Sequence, residues 1–375
     1  MKQRLGIVGG GQLGRLLAFA AKRLGFTVTI LDPTPGCPAA QVVDRAITAA
    51  YTDRTALEEL GRASDYVTFE IELADPDLLQ ALAETGARVN PSAATLKAVK
   101  DKLVQKQLLA AHGLATAPFR AVANLGELTQ AAASFGYPLV LKVRSHGYDG
   151  RGNVVVRSVG ELAAAWAKLS GQAVYAEQFV PFVKELAVQV ARGAAGELVT
   201  FPVVETLHER SICQAVLAPA PVTEEATEAA RTLALSTVRL LEGCGVFAVE
   251  MFLTQAGAVL VNEVAPRVHN SGHYTLEACA TDQFEQHVRA VAGLPLGSAD
   301  LVVPAAVMVN LLGERSGPAD LTGLEQALAV PCTAVHIYGK VETRPDRKMG
   351  HVTATGASLP EALVRARAAR SYLSI

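Results

Sequence analysis

Two acidic side chains in otherwise apolar strands are the residues whose spacing indicates chemistry most clearly. Glu250 and Glu263 lie symmetrically about Ala256 and Gly257, so a tight hairpin would place them opposite each other on adjacent strands. Like charges that face each other repel, and a shared divalent cation best explains the pair. Oxygen ligands favour Mg²⁺, or Mn²⁺, over zinc. Asn262 offers another oxygen, but strand alternation turns it to the other face unless a bulge intervenes.

A lysine in an apolar strand is followed closely by a glycine-rich turn. Lys142 lies in the run 138–143, where burial of an unpartnered ammonium group would be costly, so an anionic partner is implied. The turn 147–152 contains three glycines and Arg151, a composition that suits the wrapping of backbone N–H groups around phosphates. It lacks the Lys-Ser/Thr pair of a Walker loop. A solvated hairpin is the alternative interpretation.

Polar side chains at the following strand ends could complete a nucleotide site. Glu177 ends one apolar strand and Glu185 opens the next, and the connection through residues 178–180 could form an adenine slot. Either carboxylate could accept hydrogen bonds from ribose hydroxyls or be a solvated edge charge. After the hairpin, the polar run 265–273 contains Arg267, which could neutralise an oxyanion beside the metal. We therefore predict a catalytic loop there.

Both ends of the chain carry candidate anion sites. The run 9–14 matches the G-x-G-x-x-G pattern between a strand and a helix. This pattern fits a dinucleotide, the phosphate of a mononucleotide, or a simple tight turn. Near the other end, the cations Lys340, Arg347 and Lys348 gather in an otherwise balanced chain. They suit a substrate phosphate, with a solvated basic turn as the alternative.

The periodicity of apolar residues indicates the elements that position these side chains. A strand at 4–8, a helix at 12–24 and a strand at 27–31 predict a parallel α/β unit at the start of the chain. A single helix is predicted over 96–111 and a strand over 198–204. The predicted fold class is mixed α/β and α+β. At 375 residues, the chain exceeds the roughly 100 to 200 residues usual for one domain.

Composition narrows the class of partner. The formal net charge is −2 and no basic tail is present, which argues against a nucleic-acid partner. No apolar stretch approaches the ~18 residues of a membrane span, so no membrane partner is expected. The five cysteines are scattered and form no C-x-x-C pair, which is typical of reduced thiols. Together with the absence of a charged leader before an apolar run, this predicts a cytoplasmic protein.

The order of these features resembles the ATP-grasp superfamily, and the match covers nearly the whole chain. More narrowly, five short runs are similar to those of the 5-(carboxyamino)imidazole ribonucleotide synthase family; they are residues 11–15, 67–72, 147–152, 269–273 and 347–351. The resemblance implies that ATP phosphorylates bicarbonate to carboxyphosphate. The amine of 5-aminoimidazole ribonucleotide then captures the activated carbon, and ADP and phosphate leave, as a step of purine synthesis.

The resemblance also implies a domain plan and an oligomeric state. A pre-ATP-grasp α/β domain that binds substrate would span residues 1–95, and the ATP-grasp domain would span 96–300. Its glycine-loop lid would cover about 115–180 and close over the nucleotide, since carboxyphosphate must be kept from water. A small β-rich C-terminal domain would follow over 301–375. A homodimer is expected from the family alone.

Site residues follow from the resemblance position by position. Residues expected to contact ATP are Lys102, Lys142, Gly147, Tyr148, Asp149, Gly150, Arg151, Gly152, Asn153, Glu177, Gln178, Phe179, Val180, Glu185, His208, Asn262 and Glu263. Glu250 and Glu263 would ligate magnesium. Arg267 would hold bicarbonate or carboxyphosphate, with Arg151 and Asp149 as further catalytic residues. Candidates for the ribonucleotide are Gln12, Glu70, Tyr148, Asp149, Arg151, Asn270, Lys340 and Arg347.

Three positions depart from the usual pattern of that family, and three other functions compete with it. His146 replaces a glycine, Lys102 stands where arginine is common, and Val268 replaces a proline. A related ligase with another acceptor, such as a formate-dependent glycinamide ribonucleotide transformylase or a biotin carboxylase, would leave the C-terminal cations unexplained. A nicotinamide-dependent oxidoreductase would leave the central lysine and glutamates without purpose. A non-catalytic nucleotide sensor would not need the intact metal pair.

Overall fold

The N-terminal part of the chain folds as a parallel sheet covered by helices on both faces. Its elements are β1 Arg4–Val8, α1 Gln12–Arg23, β2 Thr27–Asp32, β3 Arg45–Thr48, α2 Arg54–Arg62, β4 Tyr66–Phe69, α3 Pro76–Glu84 and β5 Arg88–Val89. In the computed structural model, which describes residues 3–145 and 152–375, the strand order is β3-β2-β1-β4-β5 and these pairings are parallel. The predicted parallel α/β unit is confirmed.

Strand alternation explains why this sheet needs cover on both faces. Ile7 and Ile30 pack in the cluster that contains α1, whereas their neighbours Val8 and Leu31 pack in the cluster with α2 and α3. Adjacent strand residues point to opposite faces, so runs that are apolar at every position are buried on both. In such sheets ligands bind beyond the carboxyl ends of the strands, and the glycine run after β1 lies there.

Two helices, not one, lead out of this sheet: α4 Ala93–Lys100 and α5 Lys102–Ala111. The predicted single helix over 96–111 is wrong because Asp101 has extended backbone, with φ −101° and ψ 110°. Its side chain accepts hydrogen bonds from the N–H groups of Leu103 and Val104, so it caps the second helix. The break makes Lys102 the first residue of α5.

A four-stranded antiparallel sheet follows. Its elements are β6 Phe119–Val122, α6 Leu125–Phe135, β7 Leu139–Val143, β8 Asn153–Val156, α7 Leu162–Lys168 and β9 Val174–Gln178. The strand order is β6-β9-β7-β8, and α6 and α7 share its buried apolar cluster. The turn between β7 and β8 includes residues 146–151, which lie outside the described residues. The sheet falls within the range predicted for the lid, and its closure stays a prediction.

The central region is built on long antiparallel strands. Its elements are β10 Phe182–Arg192, β11 Leu198–Thr200, β12 Val204–Glu209, β13 Ile212–Ala218, α8 Glu224–Leu241, β14 Gly245–Thr254, β15 Val259–Ala265, α9 Thr275–Ala278 and α10 Gln283–Ala292. The predicted single strand over 198–204 is wrong, since the chain leaves the sheet between β11 and β12. Pro202 lies in that gap and has no N–H group to donate to a neighbouring strand.

The C-terminal strands extend the central sheet. The remaining elements are β16 Ala305–Leu312, β17 Gly317–Pro318, α11 Leu324–Leu328, β18 Thr333–Ile337, β19 Glu342–Thr343, β20 Lys348–Gly356 and α12 Leu359–Tyr372. Among the described residues, the order β15-β14-β10-β12-β13-β16-β20-β18 is continuous, and α12 packs on β16 and β20. The predicted fold class is confirmed. No helix in the described ranges is long and apolar enough to cross a membrane.

Candidate active site

The hairpin of β14 and β15 places two glutamates face to face. Glu250 pairs with Glu263 in the strand register, and the register then shifts so that Met251 pairs with Val261. Asn262 is therefore the extra residue of a β-bulge, which frees it from strict alternation. The predicted pairing of the two glutamates is confirmed, and the bulge that Asn262 needed to leave the opposite face is present. The three oxygen-bearing side chains share one short stretch of the hairpin.

Electrostatics at the hairpin favour a cation. Burial and the facing charge of Glu263 raise the pKa of Glu250 to about 7. Burial also acts to raise the pKa of Glu263, but an ion pair with Lys102 outweighs it and lowers that pKa. Glu263 thus has a lysine as counter-ion, whereas Glu250 makes no ion pair with a lysine or arginine in the described part of the chain. A divalent ion between them fits this donor set, because hard cations prefer carboxylate oxygens.

The anionic partner expected for Lys142 is Glu177. Lys142 Nζ lies 2.5 Å from Glu177 Oε1 and 3.4 Å from Asn262 Oδ1. A second lysine, Lys106, lies 2.9 Å from Glu177 Oε2. Burial lowers the pKa of Lys106 to about 8, and Glu177 opposes that shift. The sequence offered the Glu177 carboxylate as an acceptor for ribose hydroxyls. In the structure Glu177 is 2% exposed and both ammonium groups lie against its carboxylate, so a contact with ribose stays a prediction.

Sequence reasoning missed Lys106. It lies one helical turn after Lys102, on the face of α5 that also buries Leu103 and Leu109. A cation on the apolar face of a helix was the available signal, because lysine is almost never fully buried without a partner.

The segment predicted to form an adenine slot connects β9 with β10, and its role stays a prediction. Gln178 is the last residue of β9, and Phe179 and Val180 lead into β10. On β10, Glu185 Oε1 lies 3.3 Å from His208 Nδ1 on β12. Burial acts to lower the pKa of His208, but the hydrogen bond and charge of Glu185 raise it overall. The structure thus brings these two predicted nucleotide residues together.

The base of the glycine-rich turn is fixed to the start of α5. Arg144 makes a bidentate ion pair with Asp101, at 2.5 Å from Nη2 and 2.9 Å from Nε, and its carbonyl accepts from the Lys102 N–H at 2.8 Å. On the far side, Gly152 has φ +88° and Asn153 pairs with Lys142. The predicted residues Gly147, Tyr148, Asp149, Gly150 and Arg151, and the divergent His146, lie outside the described residues.

The N-terminal glycine run is occupied by the protein's own carboxylates. The Gly11 N–H donates to Glu70 Oε1 at 2.6 Å, and the Gly10 N–H donates to Asp32 Oδ2 at 2.8 Å. These two N–H groups are therefore bonded to the protein's own carboxylates, and the interpretation of the run as a phosphate site stays a prediction. A side chain on Gly9 would contact Glu70 within 2.6 Å. The glycines serve to seat Glu70 close to the loop.

Glu70 and Glu72 connect this loop with Arg267, which lies in the polar run after β15. Burial raises the pKa of Glu70 to about 7, although the Gly11 N–H and Arg267 oppose the shift. Arg267 Nε lies 2.7 Å from Glu72 Oε1. The charges of Glu72, Glu70 and Glu263 together keep the pKa of Arg267 raised despite its burial. Gln12, the first residue of α1, directly follows the glycine run.

The C-terminal cations border the same region. Lys340 Nζ donates to the Lys348 carbonyl at 2.6 Å and lies 5.8 Å from the ring centre of Tyr338. Burial and the charge of Arg347 lower the pKa of Lys340 to about 7, whereas Glu70 acts to raise it. Arg347 Nη1 donates to the Glu342 carbonyl. The structure therefore places the cations from the end of the chain near the acidic group from its start.

Asn270, predicted to contact the ribonucleotide, has another partner. Its Nδ2 donates to Asn310 Oδ1 at 3.0 Å, and Asn310 Nδ2 donates to its Oδ1 at 2.7 Å. This reciprocal amide pair joins the loop after β15 to β16. Asn270 is 8% exposed. The structure gives its side chain a connecting role, and a substrate contact stays a prediction.

Three family models match the chain in succession. A ribonucleotide synthetase preATP-grasp domain matches residues 1–100, an ATP-grasp domain matches residues 107–284, and a phosphoribosylaminoimidazole carboxylase C-terminal domain matches residues 306–365.

Relatives and solved structures agree with these models. The chain is 43% identical to an N5-carboxyaminoimidazole ribonucleotide synthase of Synechococcus elongatus, over 99% of this chain and 94% of that protein. It is 42% identical to a phosphoribosylaminoimidazole carboxylase of Schizosaccharomyces pombe, of which it spans 65%. The Thermotoga maritima N5-carboxyaminoimidazole ribonucleotide synthetase superposes with TM-score 0.91 at 44% identity, covering 99% of both chains. An Aspergillus clavatus synthase solved with ADP and 5-aminoimidazole ribonucleotide gives TM-score 0.91 at 34% identity, over 99% of this chain and 98% of that one.

Proposed function

The chain belongs to the N5-carboxyaminoimidazole ribonucleotide synthase family of ATP-grasp ligases, and we propose that it joins bicarbonate to 5-aminoimidazole ribonucleotide with cleavage of ATP to ADP and phosphate. The observation that carries this proposal is the position of Arg267. Its charge interacts with Glu263 of the hairpin and with Glu70 and Glu72 of the N-terminal sheet. The proposed nucleotide site and the proposed ribonucleotide site would therefore meet at this guanidinium group.

The first half-reaction needs positioning and positive charge more than a protein nucleophile. An oxygen of bicarbonate attacks the γ-phosphorus of ATP, the bond to the bridging oxygen breaks, and ADP leaves. Lys142 and Lys102 stand where the phosphates would bind, and Arg267 would hold the bicarbonate oxygens. Residues 178–180, Glu185 and His208 would bind the adenosine part. Carboxyphosphate is the product of this step.

In the second half-reaction the exocyclic amine of 5-aminoimidazole ribonucleotide captures the activated carbon. A C–N bond forms, the carbon–oxygen bond to phosphate breaks, and the amine gives up one proton. Lys340 and Arg347 would hold the phosphate of the ribonucleotide, with Gln12 and Glu70 closer to its ribose and base. Glu70 stays close to the acceptor because the glycine run fixes it from behind.

Glu250 and Glu263 would hold a magnesium ion, with Asn262 next to them; Mn²⁺ has the same ligand preference. Held there, the ion would supply positive charge that offsets the negative charge developing during phosphoryl transfer. The facing geometry and the raised pKa of Glu250 support this assignment. Asp149, Tyr148 and Arg151 would complete the site from the glycine-rich turn.

Three further features belong to the same proposal. The chain acts as a homodimer, functions in the cytoplasm and takes part in purine synthesis. One relative, from Vigna aconitifolia, is named as chloroplastic, so the compartment differs within the wider family. Nucleic acids and membranes are not among the proposed partners.

Incorporation of labelled bicarbonate tests the proposal. We expect ¹³C-bicarbonate, ATP and Mg²⁺ to yield a ribonucleotide whose exocyclic nitrogen is bonded to the labelled carbon, as seen by NMR. With ¹⁸O-bicarbonate, one labelled oxygen should appear in the released phosphate because it bridges carbon and phosphorus in carboxyphosphate. Glu263→Gln should give neither signal. Labelled carbon bound elsewhere, or phosphate free of label, would exclude this route.

A further inference from the structure

Three charged side chains are buried together behind the proposed phosphate site. Lys106 is 1% exposed, Glu177 is 2% exposed and Lys142 is 9% exposed. They come from α5, β9 and β7, so the cluster lies where the helix meets the four-stranded sheet. Two ammonium groups against one carboxylate leave a surplus of one positive charge. A buried surplus of this kind is costly unless an anion completes it.

The two lysines differ in how fully they are bonded. Lys106 Nζ lies 2.6 Å from Thr116 Oγ1, 3.2 Å from the Val261 carbonyl and 2.9 Å from Glu177 Oε2. The first two contacts are hydrogen bonds, and the third, to Glu177, is an ion pair. Thr116 and Val261 also form a β-bridge, and the Thr116 hydroxyl donates to the Val261 carbonyl. Lys106 is thus fixed at the joint between the linker before β6 and the hairpin strand β15.

Lys142 has a donor to spare. Within the described residues, its hydrogen bonds are the short one to Glu177 Oε1 and the long one of 3.4 Å to Asn262 Oδ1. Its side chain is 11% exposed, whereas that of Lys106 is 1% exposed. Lys142 is also the residue that pairs with Asn153 beyond the glycine-rich turn. It therefore faces the nucleotide side of the cluster, and Lys106 faces the interior.

We propose that Lys106 is a positioning residue that keeps the charge of Glu177 neutralised while Lys142 binds the phosphates of ATP. This inference rests on the proposed nucleotide site, since it takes Lys142 as the phosphate ligand. With Lys142 as its sole partner, Glu177 would become an unpaired buried carboxylate whenever Lys142 turned to a phosphate. Leaving a buried charge without its partner is strongly unfavourable. Lys106 removes that obstacle because its own bonds do not change.

Replacement of Lys106 by methionine tests the inference through nucleotide affinity. Met keeps much of the apolar volume and removes the charge, so Glu177 would hold Lys142 more tightly. We expect the Kd for ADP, measured by calorimetry, and the KM for ATP to rise about tenfold or more, the size of coupling found between neighbouring charges. Lys97→Met removes a lysine whose side chain is 70% exposed and serves as the matched control. It should leave both values unchanged.

A second substitution separates positioning from support of the fold. In a Glu177→Gln background there is no carboxylate to neutralise, so adding Lys106→Met should leave the Kd for ADP unchanged. Lys106→Met should likewise add no further loss in a Lys142→Met background. A role in folding alone would lower the melting temperature of Lys106→Met without changing its ADP affinity, and that result would overturn the inference. So would an affinity loss that persists in the Glu177→Gln background.

The outcome does not depend on the acceptor or on folding of one variant. ADP binding requires neither bicarbonate nor the ribonucleotide, so failure of the carboxylation proposal would appear in turnover and leave the affinity comparison intact. If Lys106→Met does not fold alone, the comparison of Glu177→Gln with Glu177→Gln/Lys106→Met still decides. Equal ADP affinity of those two proteins supports the inference, and unequal affinity refutes it.

Discussion

Buried charges decide which single residues are suited to chemistry. Glu70 is a buried carboxyl and Glu250 is a partly buried one, and the pKa of each is raised to about 7, but their surroundings differ. Glu250 faces another carboxylate across a hairpin, whereas Glu70 accepts a hydrogen bond from the Gly11 N–H. The first arrangement fits the proposed metal ligand, and the second fits the proposed substrate contact. The pattern of pairing, more than burial, distinguishes these two proposed roles.

The unequal surroundings of the two metal carboxylates predict opposite effects on stability. In EDTA, Glu250→Gln should raise the free energy of unfolding by roughly 0.5 kcal/mol because it removes a like charge opposite Glu263. Glu263→Gln should not, because it also removes the ion pair with Lys102. Urea unfolding of both variants measures this. Equal changes in the two variants would contradict the asymmetry.

With Mg²⁺ and ADP, the wild-type protein should become more stable than Glu250→Gln, the reverse of the order expected in EDTA. We expect Mg²⁺ with ADP to raise the melting temperature of the wild-type protein, since a ligand that binds the folded state stabilises it. Neither Glu250→Gln nor Glu263→Gln should show the full shift. An undiminished Mg²⁺-dependent shift in both variants would place the metal elsewhere.

The ionisation of Lys340 leads us to expect a pH dependence of ribonucleotide binding. Burial and Arg347 lower its pKa to about 7, so the side chain is a cation below that pH and becomes neutral above it. Binding of a phosphate requires the cation. The value of kcat/KM for the ribonucleotide, which reports ionisation of the free enzyme, should therefore fall by up to about tenfold per pH unit above 7.

The matched variant for this pH dependence is Lys340→Arg. It keeps a positive charge across the range because arginine does not deprotonate in proteins, so its profile should be flatter at high pH. The KM for ATP should change with pH in the same way in the wild-type protein and in Lys340→Arg. A wild-type profile that matches Lys340→Arg would contradict the assignment.

At the scale of elements, local sequence was sufficient where one pattern dominates a segment. The hairpin and its register followed from two symmetric glutamates and a turn, whereas the bulge at Asn262 entered the sequence analysis only as a condition for bringing its oxygen to the same face. The break between α4 and α5 could not be anticipated. Asp101 also fits an exposed position of a continuous helix, and the apolar periodicity runs on through it, so the sequence does not distinguish a cap from a helical residue. Pro202 gave an available signal for the break between β11 and β12, but the apolar run concealed it.

Removal of the cap at Asp101 should reduce both stability and nucleotide affinity. Asp101→Ala removes the cap of α5 and the ion pair with Arg144, and should lower the free energy of unfolding by about 1–2 kcal/mol. It should also raise the KM for ATP, because both groups position Lys102 and the base of the glycine-rich turn. Urea unfolding and steady-state kinetics measure the two effects.

A cap elsewhere in the fold provides the control for Asp101. Asp53 caps α2 by accepting from the Ala56 N–H, on a helix of the N-terminal sheet. Asp53→Ala should lower stability by about 1 kcal/mol and leave the KM for ATP unchanged. If both variants changed the KM alike, the effect of Asp101 would be one of general destabilisation.

Across the whole molecule, the site is assembled from three regions that the sequence presents separately. The order of the motifs predicted the fold class, yet no local pattern showed that β16, β20 and β18 extend the central sheet. That connection depends on pairing between strands far apart in the chain. It brings Lys340 into the electrostatic range of Glu70, so the proposed acceptor site requires the assembled molecule.

The amide pair between Asn270 and Asn310 tests how the loop after β15 depends on the C-terminal strands. Asn270→Ala and Asn310→Ala should each lower the free energy of unfolding by about 1–3 kcal/mol, because each leaves a buried amide unsatisfied. The double variant should lose less than the sum. A contact between Asn270 and the ribonucleotide would instead raise the KM for the ribonucleotide in Asn270→Ala and leave it unchanged in Asn310→Ala.

Release of ADP, followed with bicarbonate and 5-aminoimidazole ribonucleotide present together, singly and not at all, tests the central claim most directly. We expect rapid release with both substrates and little when either is left out, since the bicarbonate oxygen is the nucleophile toward ATP and the amine consumes the product of that step. Glu263→Gln should release little under every condition. ADP release that is indifferent to bicarbonate and to the ribonucleotide would contradict the proposed function.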